Sequence, residues 1–168
     1  MRGLIGCGLT QPSAQPGAVN PFPTVGRWTV TAMPAGWIYI AGFGIKQMSA
    51  VAGAIVASVG VGEDSLDDET AMAVYIEKQM KLIESRLKEV KCAGPKVISF
   101  SGAEEAHLLF VRHRMDTAGN MLHAQTYARV GRWVGIVTLT ALEAQLNLVR
   151  PDYDAFVKGL RIGPAQAG

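Results

Sequence analysis

The sequence predicts an α+β fold, an antiparallel β-sheet with a long helix and a C-terminal helix packed on it. Three observations predict it. Residues 66–92 carry apolar side chains at steps of three and four, the spacing that lines one face of a helix. Residues 106–140 hold three long strand-like runs joined by short turn-forming segments, and such tight connections make antiparallel neighbours. Pro151 is followed by Tyr153, Phe156, Val157 and Leu160, one apolar face of a closing helix that begins at the proline.

Taken in order, residues 1–25 carry Pro12, Pro16, Pro21 and Pro23 among glycines and read as a flexible N-terminal arm. Residues 26–163 form a single domain, and residues 164–168 a short tail. Arg27 to Met33 alternates weakly as a strand, Pro34-Ala35-Gly36 is a turn, and Trp37 to Ile40 opens an extended segment that Phe43 to Met48 continues. Ala54 to Val59 is a further short strand. Gly60-Val61-Gly62 reads as a plain loop into the helix, because GVGEDS lacks the Lys-Ser/Thr pair that holds phosphate and magnesium.

The helix is expected from Leu66 to Cys92, with Met72, Ile76, Met80, Ile83, Leu87 and Val90 on its buried stripe. Asp67, Asp68 and Glu69 at its start and lysines at its end complement the helix dipole, and Gly94-Pro95 closes it. At 1.5 Å per residue it would be roughly 35–40 Å long, matching a twelve-residue strand. Lys96 to Phe100 follows as a short strand. Ala106 to Met115 and Asn120 to Val130 then pair through Asp116-Thr117-Ala118-Gly119, and Gly131-Arg132 turns the chain into Trp133 to Thr140.

A chain of 168 residues suits one domain with an arm. Sixteen basic against fourteen acidic residues give no field strong enough for nucleic acid or an anionic membrane. No apolar run reaches the ~18 residues of a membrane-spanning helix. Cys7 and Cys92 fit neither a disulfide framework nor a metal spacing, and Cys92 reads as a buried thiol. Leu4-Ile5-Gly6-Cys7 has the form of a bacterial lipobox, yet too few residues precede it for the ~7–15 residue apolar region of a signal peptide. A start codon further upstream would make Cys7 an acylated residue.

Little in the chain points to catalysis. Hairpin closure brings His113 close to His123, but two histidines without a carboxylate or cysteine at fixed spacing read as a polar surface pair, so no metal is expected. Glu104-Glu105 reads as a solvated corner. No nucleophile elbow, paired-carboxylate arrangement or dinucleotide fingerprint appears, so neither catalytic residue nor cofactor is expected.

The early strand ending in Pro34-Ala35-Gly36-Trp37, the segment Tyr75 to Gln79 followed by Leu87, the strand carrying Gln125, and Thr138-Leu139-Thr140 before the closing helix form one pattern. With these, residues 27–162 resemble the PsbP-like α/β sandwich and, within it, the DcrB-related proteins that include the Eag chaperones of bacterial type VI secretion. The resemblance implies a non-enzymatic, homodimeric, cytoplasmic chaperone that holds the hydrophobic N-terminal transmembrane helices of an effector until they are loaded on the secretion spike. It also implies a client groove. Gln79 and Gln125 match positions whose uncharged amides imitate contacts between membrane helices. Ile83 and Leu87 continue the helix lining, and Met121 extends it across the strand, where a thioether adapts to varied partners. The alternative within the same resemblance is a DcrB-like envelope lipoprotein, periplasmic or on the outer surface, tethered through Cys7 and acting as a binding or envelope-maintenance module.

Overall fold

Alternation along the longest strands decides the architecture. In the computed structural model, which describes residues 24–163 apart from 26, 33, 36, 41–43, 49–54, 68–69 and 116–118, ten strands and two helices are defined. Residues 1–23 of the expected arm, with Cys7, and the C-terminal tail lie outside the described residues, while Thr24 and Val25, expected to end the arm, form a strand. The strands are β1 (Thr24–Val25), β2 (Trp28–Val30), β3 (Trp37–Ile40), β4 (Gly44–Met48), β5 (Ile55–Ser65), β6 (Lys91–Ile98), β7 (Glu105–Met115), β8 (Gly119–Val130), β9 (Trp133–Leu142) and β10 (Leu160–Ile162). The helices are α1 (Met72–Arg86) and α2 (Leu146–Lys158). Seven strands form one sheet in the order β3-β4-β5-β9-β8-β7-β6, with every neighbouring pair antiparallel. β1, β2 and β10 make a second, small sheet.

Both faces of the large sheet are covered, so its central strands bury side chains on both sides. Leu109, Val111, Tyr127 and Val134 meet Met72, Tyr75 and Ile76 of α1 on one face. Ala124, Ala128, Val137 and Leu139, one residue out of phase, meet Val149, Tyr153 and Phe156 of α2 on the other. The small sheet closes that second face, and Trp28 packs edge-on against Phe100 with ring centroids 5.9 Å apart. The expected α+β architecture, with a helix along the sheet and a closing helix, is what the chain adopts.

The boundaries differ in instructive ways. The expected helix from Leu66 to Cys92 is confined to Met72–Arg86. Leu66, Leu87 and Val90 all belong to the core beneath α1, so the apolar spacing reports burial there without helical backbone. Leu87 is extended and Glu89 takes a φ of 51°, which turns the chain out of the helix and into β6. Gly94-Pro95, expected to close the helix, falls inside β6, where the pairing with β7 is irregular. Gly60-Val61-Gly62 is not a loop. It belongs to an eleven-residue β5 that pairs with β9 as far as Ser65. The closing helix starts at Leu146 after a 3₁₀ turn, and Pro151 sits inside it, where it cannot donate to the Asn147 carbonyl.

β9, β8 and β7 stand between β5 and β6, and four antiparallel steps make β5 and β6 parallel. The connection must therefore return along the sheet, and α1 is that return. Its start is tied down by the Tyr75 hydroxyl donating to Asp64 Oδ2 at 2.9 Å and by Arg129 Nη1 donating to the Thr70 carbonyl at 3.3 Å. Its exit is tied to β7 by the Arg114 amide donating to the Lys88 carbonyl at 3.2 Å.

Gly135 of β9 lies under Trp28 and Ile162, and a methyl group there would overlap both side chains. Gly135→Ala is expected to destabilise the protein by about 1–3 kcal/mol, whereas Gly60→Ala, with no neighbour in the way, should stay within about 0.5 kcal/mol. Thermal or urea unfolding of the two variants checks the contrast.

Candidate functional site

The site follows from a mismatch of lengths. Fifteen residues make α1 about 22 Å long, while the eleven and twelve residues of β7 and β8 extend to roughly 36–40 Å. The helix leaves the hairpin end of that face uncovered. A cavity of about 630 Å³ opens there, lined by Arg86, Leu87 and Lys88 from the helix exit, His113 and Met115 from β7, Met121 and His123 from β8, and Thr140 from β9. Arg114 completes its rim, and its guanidinium lies 3.7 Å from Glu89.

The expected groove residues lie on α1, at its exit (Leu87) or on the sheet face it covers. Leu87 and Met121 line this cavity together. Gln79 and Ile83 are half-buried along α1, with Ile83 packed on the core formed by Leu109, Val111 and Tyr127. Gln125 lies further along β8, where its amide oxygen accepts a hydrogen bond of 2.6 Å from the Tyr127 hydroxyl. Burial pushes the Tyr127 phenol up to about 12, so that hydroxyl keeps its proton and remains a donor. The Gln125 amide oxygen thus has a partner inside the protein.

The sequence placed His113 and His123 together but on the surface. In the structure His113 is only 6% exposed and His123 is half-buried. Their Nε2 atoms are 2.9 Å apart, the ring planes are within 2° of parallel and the centroids are 4.9 Å apart. The rings therefore meet nearly edge to edge, nitrogen facing nitrogen, with one proton between them. The other nitrogen of His123 lies 3.0 Å from Thr140 Oγ1. Register explains the pairing: His113 stands directly across from Met121, and alternation carries Met115 and His123 to the same face. Met115 and Thr140 were missed, although strand parity alone would have placed them beside the histidines. Among the described residues, no group of three or more His, Cys, Asp or Glu side chains is placed to hold a metal ion.

Burial, and secondarily His113, lower the pKa of His123 below its ordinary value. The unfolded chain, with His near 6.5, then takes up a proton that the folded chain refuses. This contribution to stability is full above about pH 6.5 and is lost as pH falls through the folded value. Tm is expected to decline on acidification below about pH 6.5, and His123→Gln to flatten that decline. An identical acid slope in the variant would contradict the assignment.

No protein-family model matches the chain, and no curated protein matches it. Solved structures do. LpqN of Mycobacterium tuberculosis, involved in cell envelope biogenesis, aligns with a TM-score of 0.63 at 14% identity over 86% of this chain and 87% of its own. PA94 of Pseudomonas aeruginosa, a protein of unknown function, aligns with a TM-score of 0.58 at 21% identity over 75% of this chain and 85% of its own. The cyanobacterial PsbP of Synechocystis sp. PCC 6803 aligns with a TM-score of 0.54 at 10% identity over 90% and 98%. The cytoplasmic location expected from the sequence is corrected: LpqN, a neighbour of the fold, is involved in cell envelope biogenesis. The described residues contain no helix long and apolar enough to cross a membrane. The chain has the PsbP-like α/β sandwich fold.

Proposed function

We propose that this chain is a non-catalytic binding module of the bacterial cell envelope, DcrB-like in kind, that holds a hydrophobic segment of another envelope protein against the face left open beyond α1. The cavity of about 630 Å³ supports this reading, because Leu87 and Met121 both line it. Gln79, Ile83 and Gln125 extend the proposed binding face along the helix and strand. Arg86, Lys88 and Arg114 at the rim suit a segment flanked by acidic residues or lipid phosphates. Acylation at Cys7 would tether the module, with the proline-rich arm as its spacer. Homodimerisation belongs to the same proposal.

The type VI secretion chaperone implied by the sequence resemblance is the second reading. Its geometric support, Leu87 and Met121 at one cavity, serves an envelope module equally, and the neighbours of the fold favour the envelope.

Expression from the native locus, followed by cell fractionation, intact-mass analysis and light scattering, tests the proposal. A dimer in the envelope fraction, acylated at Cys7, is the expected result. Met121→Glu is expected to reduce recovery of the bound partner about tenfold or more while shifting Tm little, because Met121 is only half-buried and lies outside both buried clusters. An unacylated cytoplasmic chain that co-purifies with a protein bearing N-terminal apolar helices would overturn this reading in favour of the second.

A further inference from the structure

The donors at the floor of the cavity are chemically unusual as a set. His113, Met115, Met121 and His123 share one face at the closed end of the β7–β8 hairpin, and all four line the same cavity. They offer imidazole nitrogen and thioether sulfur, and among the described residues no carboxylate or thiol lines the cavity with them. We propose that these four side chains bind a single copper(I) ion.

The choice of metal comes from the donors. Imidazole suits zinc, copper, iron and nickel alike, while thioether sulfur is a soft ligand that selects copper(I). Zinc sites use thiolate, imidazole and carboxylate instead. Charge points the same way: Arg86, Lys88 and Arg114 surround the cavity, and a monovalent ion is opposed less by them than a divalent one.

The geometry is close to what an ion requires. Two nitrogens each about 2 Å from a tetrahedral metal stand about 3.3 Å apart, so the present separation of 2.9 Å needs to open by about half an ångström. His123 is held through its Nδ1 by Thr140 Oγ1, the kind of outer hydrogen bond that fixes the tautomer and orientation of a ligating imidazole. With Nδ1–H donating to the threonine hydroxyl, His123 Nε2 presents a lone pair. On binding, the proton shared by the two Nε2 atoms passes to the Nδ1 of the ring that carries it, so both Nε2 lone pairs reach the metal. No electron is transferred. Met115 is 41% exposed and Met121 half-buried, and three rotatable bonds let each thioether swing onto an ion entering from the cavity.

This inference does not rest on an envelope location, and it is tested on the purified full-length chain. Copper(I) is titrated anaerobically in competition with bicinchoninate, both on the natural chain and on a Cys7→Ser/Cys92→Ser variant that removes the thiols. One equivalent retained by both proteins, with nitrogen and sulfur scattering in the copper X-ray absorption spectrum, is the expected result. Met115→Leu/Met121→Leu keeps the side-chain volume, and should keep the Tm, while weakening copper(I) binding about tenfold or more. His123→Ala should weaken it further. The proposal is overturned if the chelator strips all copper from the natural chain, or if binding vanishes with the cysteines. Wild-type affinity in the double leucine variant would overturn it too, as would zinc(II) held as tightly as copper(I).

Discussion

A helix shorter than the strands beneath it shapes this molecule. Because β5 and β6 run parallel with three strands between them, the chain has to return along one sheet face, and only the fifteen residues of α1 are helical on the way. A helix advances less than half as far per residue as a strand. α1 is anchored at its start by Tyr75 on Asp64, so the shortfall appears entirely at its other end. There the β7–β8 hairpin projects past Arg86, and its inward-facing side chains border a cavity instead of a helix. On the opposite face, α2 and the small sheet carrying Trp28 and Ile162 share the covering between them. The two faces of one sheet thus receive different covers, a single helix on one and a helix with a small sheet on the other.

Most of the framework was legible from side-chain pattern. The β7–β9 meander was read correctly because strand alternation and the turn formers at Asp116–Gly119 and Gly131 agree with each other. Helix ends were less legible for a physical reason. Leu66, Leu87 and Val90 continue the spacing of Met72 and Ile76 and are packed on the same core, yet their backbone is not helical. Apolar periodicity records which side is buried, and an extended residue at a helix exit can be buried as well as a helical one. Pro151 misled in the opposite direction, since a proline marks where a helix tolerates the loss of an N–H and the 3₁₀ turn before α2 moved the start upstream.

The candidate site was legible in part. Leu87 and Met121 were named from the resemblance, and both line the cavity. Gln125 was named from it as a groove amide, and the Tyr127 hydroxyl donates to it from two residues away, a contact that strand parity places on the same face. The histidines show where pattern reading stops. Sequence could bring His113 near His123, but burial depends on what lies above the hairpin, and that depends on where α1 ends. The Nε2–Nε2 contact has room for one proton, and burial lowers the pKa of His123 below its ordinary value.

β6 gives the sheet a further property. It is the last strand on its side, and an unpaired strand edge invites pairing with another chain. Here the edge is broken in the middle: pairing with β7 slips between Ala93 and Lys96, Pro95 has no N–H to offer, and Lys91 and Lys96 place charge along the strand. Extension of the sheet by a second molecule across this border is therefore unfavourable. At this border, contact with a second copy is directed toward side-chain surfaces, and β-structure does not readily propagate across it from one molecule to the next.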